Sequence, residues 1–278
     1  MPEVAVGPLG HVVGGAAELR SGLDTANALM VLQRTAVLDG SKLDESAQLN
    51  WAVRTSLGYD GDLATAVLRR RTAARDSVQH GPDTMRLVAL RPDTAVLVGA
   101  GESGVRNVGM ALHGTYGWPV LRGSALKGVA HAYARDVERL APADLARIFG
   151  TPRPESADPA DTADGDAADG DPAQGTVAFL DAVWTSTAPR VAAHVLTPHV
   201  APYYRDGKGE TPPAEYWNPV PVEYLAVEDG VFVAGLVGPA PAVEHAESLL
   251  LAGLADLGIG AKTAAGYGYL TPAQGGGR

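Results

Sequence analysis

The sequence contains no cysteine among its 278 residues. This absence excludes a disulfide framework, a thiolate zinc site and a cysteine nucleophile. The sequence also lacks any apolar run long enough to span a bilayer, and the segment around Glu3 lacks the basic start of a secretory signal. We therefore expect a soluble cytoplasmic protein. Hydrophobic residues make up 46% of the chain, which is enough for a substantial core.

Negative charge is concentrated in one short segment. The formal net charge is −10 at pH 7, but residues 151–175 hold seven acidic residues against the single base Arg153. Removing that local charge of −6 from the total of −10 leaves −4 for the rest of the chain. A body of that charge can still carry a basic surface, so a nucleic-acid partner is not excluded. Because residues 151–174 are rich in Asp, Ala and Pro, we expect a disordered acidic insertion there.

The first 81 residues read as a helical N-terminal segment. Residues 17–57 show apolar residues at helical spacing with a break at Asp39-Gly40, and residues 62–78 continue the pattern. The second helix carries Arg69, Arg70 and Arg71. These arginines are either a solvated helix surface or a contact for RNA or a protein partner.

The pattern of residues 82–272 predicts a second unit with several helices and strands. The series is strand, helix, strand, hairpin, helix, glycine-rich loop and strand, which is the order of a β-α-β-β-α-β ferredoxin-like unit. We therefore predict an α+β fold of the type that also underlies the RNA-recognition motif. The predicted pieces are a strand at 95–98, a helix opening at 122–124, extended segments at 175–184 and 192–199, a hairpin at 220–237 turning at Asp229-Gly230, and a helix at 241–257.

The segment GIGAKTAAGYG, residues 258–268, forms what we call the glycine loop. Its four glycines allow positive φ and close backbone approach, so its N–H groups could bind a ligand. Lys262 and Thr263 add one charge and one hydroxyl, which favours phosphate. The alternative is an ordinary tight connection between a helix and a strand.

A second phosphate-friendly segment opens the helix after Pro119. Ser124 is predicted to cap this helix, whose start gathers free N–H groups and the positive end of the helix dipole. Arg122 lies just outside the helix and Lys127 lies in its first turn. Together they favour an anion, although a plain cap beside an exposed lysine is the alternative.

The sequence does not match the motifs of nucleotide-binding loops or of zinc-binding helices. A Walker loop requires Gly before its lysine, whereas Ala261 precedes Lys262 and the loop follows a helix. His194 and His199 lack the spacing of a zinc helix. We predict neither a metal nor a cofactor.

Two short motifs match those of a serine enzyme family. Ser124 and Lys127 match the S-x-x-K pattern of penicillin-binding serine acyl enzymes, and Lys262-Thr263-Ala264 approximates their K-T-G. Ser124 lies late in the chain for that family, and such short motifs match by accident. The serine acyl enzyme therefore stays only as an alternative.

Several motifs in a fixed order resemble one protein family. The helix entry at 113–130 (HGTYGWPVLRGSALKGVA) and the glycine loop resemble the RAMP proteins of CRISPR effector complexes. More narrowly, IFG at 148–150, VAFLDA at 177–182, TPHVAPYY at 197–204 and WNPVPV at 217–222 are similar to the family of sixth Cmr subunits of type III-B systems. The resemblance covers roughly residues 105–270. His131 departs from the family because a basic Arg is common at its position.

The resemblance implies a non-catalytic subunit that binds RNA. Such a subunit binds guide RNA toward its 3′ end, caps the backbone filament and meets target RNA and other Cmr backbone subunits. A protein assembly cap with little RNA contact is the alternative.

The predicted contacts fall into two groups. Those assigned to RNA are Arg122, Gly123, Ser124, Lys127, Gly258, Gly260, Lys262, Thr263, Gly266, Tyr267 and Gly268. Those assigned to RNA or a partner are His113, His131, Tyr203, Tyr204, Arg69, Arg70 and Arg71. The tyrosines Tyr203, Tyr204 and Tyr267 either stack on bases or pack inside the protein. No residue is predicted to be catalytic.

Overall fold

The structure is a computed structural model that describes residues 4–6, 24–39, 42–43, 45–79, 81–101, 109–151, 173–184, 188–197, 203, 206, 211–212 and 218–273. Its α-helices are α1 (Glu45–Arg54), α2 (Gly61–Val78), α3 (Gly123–Asp136), α4 (Pro142–Phe149) and α5 (Ala240–Asp256). Its strands are β1 (Val4–Val6), β2 (Thr35–Asp39), β3 (Lys42–Leu43), β4 (Thr84–Pro92), β5 (Val120–Leu121), β6 (Ala178–Trp184), β7 (Arg190–Leu196), β8 (Val222–Asp229), β9 (Phe232–Gly238) and β10 (Leu270–Pro272). Every helix in these ranges is too short or too polar to cross a membrane.

The central sheet confirms the predicted fold class. Its five strands are antiparallel and run in the order β10-β4-β9-β6-β5. In chain order, β4, α3, β6, β9, α5 and β10 form the β-α-β-β-α-β unit, with the short β5 added at one edge. This is an α+β ferredoxin-like arrangement.

The helices α3 and α5 pack against each other over this sheet. Apolar residues at helical spacing make this possible: Leu126 and Ala130 are buried in α3, and Leu250 and Leu254 are buried in α5. Gly253 brings the two backbones close, since an added Cβ would lie 3.0 Å from Val129 Cγ1. The predicted helices after residues 122–124 and over 241–257 are therefore confirmed.

The predicted hairpin at 220–237 is wrong. β8 pairs with β7 in a separate two-stranded sheet, whereas β9 pairs with β4 and β6 in the central sheet. The Asp229-Gly230 turn thus carries the chain from one sheet to the other. Gly230 has φ +121°, and a Cβ there would overlap the Trp184 ring, so a residue without a side chain is needed.

The strand predicted at 95–98 is displaced toward the N-terminus. β4 ends at Pro92, and Val96 makes only a single bridge to Val227 of β8. After Pro92 the N–H groups of Asp93 and Thr94 both donate to Tyr269 O, which turns the chain away from the central sheet. The apolar residues 95–98 are mostly buried without forming a regular strand.

The N-terminal region differs in part from its helical prediction. Residues 62–78 do form α2, but residues 17–57 contain a π-helix (Met30–Arg34), the strands β2 and β3, and α1. β2 pairs with β1, a contact distant in sequence that local spacing does not reveal. Trp51 of α1 belongs to the same hydrophobic cluster as Leu90 of β4. The division into 1–81 and 82–272 stays a prediction.

The acidic insertion lies outside the described residues, except at its two ends. These ends meet, because the Thr151 N–H donates to Ala173 O at 3.0 Å and Gly150 bridges to Gln174. The insertion therefore leaves and rejoins the described chain at one point, directly after α4.

Arg71 joins the N-terminal region to the central sheet. The register of β6 on β9 shifts between Leu180 and Val183, which is a β-bulge. The guanidinium of Arg71 enters from α2 and donates to Asp181 O and Val233 O, both at 2.5 Å. Burial lowers the pKa of Arg71, while Asp181 opposes that shift. Arg71 is therefore a structural residue of the sheet, whereas its neighbours Arg69 and Arg70 are exposed.

We predict that Arg71→Ala destabilises the fold by about 2–4 kcal/mol, because two carbonyl groups of the sheet lose a charged donor. Urea unfolding followed by circular dichroism measures the change. The matched control is Arg70→Ala on the same helix, for which we expect a change within about 0.5 kcal/mol. Equal effects of the two substitutions would contradict this role of Arg71.

Candidate nucleic-acid interface

The glycine loop follows α5 as a compact structure with an outward turn. Gly258, Gly260, Gly266 and Gly268 all have positive φ, between 71° and 91°. Between them, Thr263–Ala265 forms one turn of 3-10 helix. The sequence prediction that these glycines allow unusual backbone geometry is confirmed at all four positions.

Internal acceptors take up most N–H groups of the loop. Those of Ala261 and Gly268 donate to Leu97 O and Ala95 O, which fastens the loop to the segment after β4. The N–H groups of residues 258, 259, 265, 266 and 267 donate to other carbonyls within 253–268. In the described part of the chain, no protein acceptor is found for the N–H groups of Gly260, Lys262, Thr263 and Ala264. Donors for a ligand are thus concentrated in the outer turn.

Lys262 stands out by its backbone and by its side chain. Its φ of 63° lies in the left-handed region, which is uncommon for a residue other than glycine. The Nζ atom lies 5.8 Å from the centre of the Tyr224 ring, within the range of a cation–π contact. The strained residue at the tip of the loop is therefore also its one cation. Strain of this kind points to a functional role for the side chain.

A hydrogen-bonded chain fastens the loop to the β7–β8 sheet. The Tyr224 hydroxyl donates to the Tyr267 oxygen at 2.9 Å, and the Tyr267 oxygen lies 2.7 Å from His194 Nδ1. His194 Nε2 lies 3.3 Å from Glu228 Oε1. With a proton on Nε2, the His194 ring can donate to Glu228 and accept the Tyr267 hydroxyl proton at Nδ1. Burial, followed by the bond to Tyr267, raises the pKa of Tyr224 to about 12, so this hydroxyl stays protonated.

This arrangement gives Tyr267 a packing role and reveals residues that the sequence reasoning missed. Tyr267 is held by two hydroxyl contacts, and its ring meets His194 edge to face at 5.6 Å. Tyr224 and Glu228 lie on one face of β8 by the two-residue period of a strand. The sequence shows this two-residue alternation, but it does not show that Tyr224 contacts a loop some forty residues later.

The start of α3 differs from its prediction in its cap. Arg122 occupies the N-cap position, the helix begins at Gly123, and no side chain caps it in the manner predicted for Ser124. The Gly123 N–H instead donates to Asp181 Oδ1 at 2.7 Å. A Cβ on Gly123 would overlap Phe179 O, so α3 can approach β6 only with glycine there. Predicting Ser124 as the cap was wrong because the carboxylate comes from a distant strand.

The Asp181 carboxylate therefore fills part of the anion site predicted at this helix start. Arg122 and Ser124 remain exposed, and Lys127 is half-buried on the same helix. This segment lies against β6, whereas the glycine loop lies against residues 94–98 and β8. The elements of the serine acyl enzyme motif thus contact different strands.

Both histidines proposed as contacts are engaged with neighbours. His113 stacks on Tyr116 at 4.4 Å, and its Nδ1 accepts the N–H groups of Thr115 and Tyr116. His131 meets Phe149 edge to face at 5.2 Å. Burial is the main cause that lowers the pKa of each histidine, which favours neutral rings.

The remaining predicted contacts are scattered over the surface. Tyr203 is 39% exposed, and Tyr204 lies outside the described residues. Arg69 and Arg70 are on the open side of α2. Within the described ranges, no three side chains of the metal-binding types come together.

Comparison with known proteins identifies the family. The model of the RAMP superfamily matches residues 90–271, which include the central sheet from the end of β4 and the whole glycine loop. The chain belongs to the RAMP superfamily.

Within the RAMP superfamily, this protein is similar in sequence to a Cmr subunit. Over 134 residues it is 33% identical to the CRISPR system Cmr subunit Cmr6 of Pyrococcus furiosus, a match that takes in 46% of this chain and 34% of that protein. The match therefore spans about a third of the length of that relative. The resemblance to sixth Cmr subunits predicted from the motifs is confirmed over this region.

A structural comparison supports the same fold. A chain in the cryo-EM structure of the type III-B Cmr-beta complex bound to cognate target RNA superposes with a TM-score of 0.60 and 17% identity. The superposition covers 85% of this chain and 77% of that chain. At this identity the similarity shows the fold alone.

We predict unequal effects of alanine at two glycines of the loop. Gly268 and Gly266 have nearly equal φ values, 83° and 86°, but a Cβ would overlap Ile259 O at Gly268 and meets nothing within 4 Å at Gly266. Gly266→Ala should cost about 1 kcal/mol from backbone strain, and Gly268→Ala about 3 kcal/mol or more. Thermal and urea unfolding measure both, and equal losses would show that the close backbone approach is unimportant.

Proposed function

We propose that this RAMP protein is a non-catalytic subunit of a type III-B (Cmr) CRISPR effector complex that binds guide RNA toward its 3′ end. In this proposal it caps the backbone filament and meets target RNA and neighbouring Cmr backbone subunits. The observation that carries the proposal is the outer turn of the glycine loop, where Lys262 lies together with N–H groups that have no acceptor among the described residues. Its relation to Cmr6 supports the same assignment.

The chemistry of the outer turn favours the RNA backbone over the bases. N–H groups and a lysine ammonium bind phosphate oxygens well, and such contacts are independent of base sequence. Thr263 adds a hydroxyl at the same turn. Binding should therefore be strong at low salt, weaken as salt rises and vary little between RNA sequences.

The two predicted segments take different parts in this proposal. At the glycine loop, Gly260, Lys262 and Thr263 supply phosphate contacts, while Gly258, Gly266 and Gly268 give the backbone its shape. At α3, Arg122, Ser124 and Lys127 supply surface contacts, while Gly123 holds the helix against β6. Because α3 and α5 pack directly on each other, both segments belong to one helical layer. This supports a single RNA path that uses both.

The proposal assigns no reaction to the protein. The Asp181 carboxylate accepts the Gly123 N–H, and His194 lies between Tyr267 and Glu228. These groups have structural partners and do not form a nucleophile-and-base pair with Ser124. The histidine network is thus better explained as support for the loop.

Replacing Lys127 and Lys262 together by Gln tests the RNA role. In the reconstituted complex, guide RNA retention should fall roughly tenfold, and the slope of log K against log salt should decrease by about 1.4 because two phosphate contacts are lost. Filter binding over a series of salt concentrations measures both quantities. Arg147→Gln is the control, since it removes an exposed cation from α4, which belongs to neither segment.

The same experiment distinguishes RNA binding by these loops from the alternative role as a protein assembly cap. Unchanged retention and an unchanged salt slope, with the complex still assembled, would contradict RNA binding by these loops. That outcome would favour a protein assembly cap.

A further inference from the structure

A cleft of about 560 Å³ lies at the end of the β7–β8 sheet where β7 begins and β8 ends. Arg91 of β4, Arg190 of β7 and Asp229 of β8 line it, together with Thr271 of β10 and the following Ala273. None of these residues takes part in the proposed contacts described above. The charged side chains in its lining are Arg91, Arg190 and Asp229, so its binding chemistry depends on them.

Carboxylates hold both guanidinium groups at the cleft. Arg91 Nε and Nη2 donate to the two oxygens of Asp229 at 2.8 and 2.9 Å, and Arg190 Nη1 lies 3.3 Å from Glu228 Oε2. The side chains of Arg91 and Arg190 are nevertheless 58% and 68% exposed. Each guanidinium has five N–H donors, so donors remain that face solvent. The bond from Arg91, followed by the Gly230 N–H, lowers the pKa of Asp229 and keeps its carboxylate charged.

The cleft and the glycine loop lie along one face of the same sheet. Tyr224 and Glu228 share a face of β8, and four residues of strand separate them by about 13 Å. Lys262 lies over Tyr224 at one end, and Arg190 lies beside Glu228 at the other. The chain of contacts from Tyr267 through His194 to Glu228 joins the two ends. Lys262 and Arg190 thus mark the two ends of this face, and Arg91 of β4 lines the cleft beside Arg190.

We propose that this cleft is a second phosphate-binding subsite, where an RNA strand held at Lys262 continues along β7–β8 to Arg190 and Arg91. The inference rests on the proposed function and extends its path. Asp229 and Glu228 orient the two guanidinium groups, and the N–H donors that these groups keep toward solvent can bind phosphate oxygens. The Thr271 hydroxyl adds a neutral donor at the rim. An acidic protein segment is the competing occupant.

The test uses the full chain with Arg91→Gln and Arg190→Gln combined. The probe is a fluorescein-labelled oligouridylate of about 30 nucleotides, long enough to reach both subsites and free of base pairing. Fluorescence anisotropy over a salt series should show roughly tenfold weaker binding and a salt slope reduced by about 1.4. Arg86→Gln is the matched control, because Arg86 lies on the same strand, is 48% exposed and pairs with Glu247 of α5.

A second variant tests the cleft without removing either ion pair, so that the inference stays testable if the double variant does not fold. Ala188→Asp adds a negative charge at the cleft rim and leaves both ion pairs in place, and we expect it also to weaken binding. Affinity and salt slope equal to those of Arg86→Gln in both variants would overturn the inference.

Lys262→Gln in the same assay separates the two proposals. Weakened binding for Lys262→Gln with unchanged binding for the cleft variants would leave the proposed function standing and remove only the second subsite. If the cleft variants instead lost an acidic protein partner while binding RNA normally, the cleft would belong to that partner.

Discussion

The guanidinium of Arg71 donates hydrogen bonds to carbonyl groups beside the β-bulge of the central sheet, and the surrounding structure depends on these bonds. The β6 bulge frees carbonyl groups from regular pairing, and Arg71 donates to Asp181 O and Val233 O. The bulge also directs the Asp181 carboxylate to the Gly123 N–H, so the start of α3 is positioned by the same residue. Through this cluster α2, β6, β9 and α3 are held together. A residue first considered as an RNA or partner contact therefore helps to join the N-terminal region to the RAMP fold.

The glycine loop is rigid in most of its length and available to a ligand at its tip. Its inner N–H groups bond to residues 95–97 and to the loop itself, and Tyr267 fastens it to the β7–β8 sheet. Among the described residues, the N–H groups that keep no acceptor in this loop belong to the outer turn around Lys262 and to Gly260. Such preorganisation lowers the entropy lost on binding, because the contacting groups are already placed. The separate β7–β8 sheet thus serves the loop as a support.

Features set by local periodicity were predictable from the sequence. The apolar stripes of α2, α3 and α5 and the glycines that require positive φ follow from residue spacing and residue type. The failures share a different cause. The sequence around Asp229-Gly230 has the features of a hairpin, but β7 competes for β8, and the Trp184 ring fits only against Gly230. Ser124 has the features of a cap, but Asp181 reaches the helix start from 58 residues away. Long-range partners of this kind leave no periodic signal.

The central claim is that RNA lies against the outer turn of the glycine loop. The most direct measurement is photo-crosslinking of guide RNA containing 4-thiouridine in the assembled complex, followed by mass spectrometry of the modified peptides. We expect cross-links within residues 258–269 of this chain, and fewer of them when Lys262 is replaced by Gln. Cross-links confined to neighbouring subunits, or to the exposed arginines Arg69 and Arg70 of α2, would contradict it.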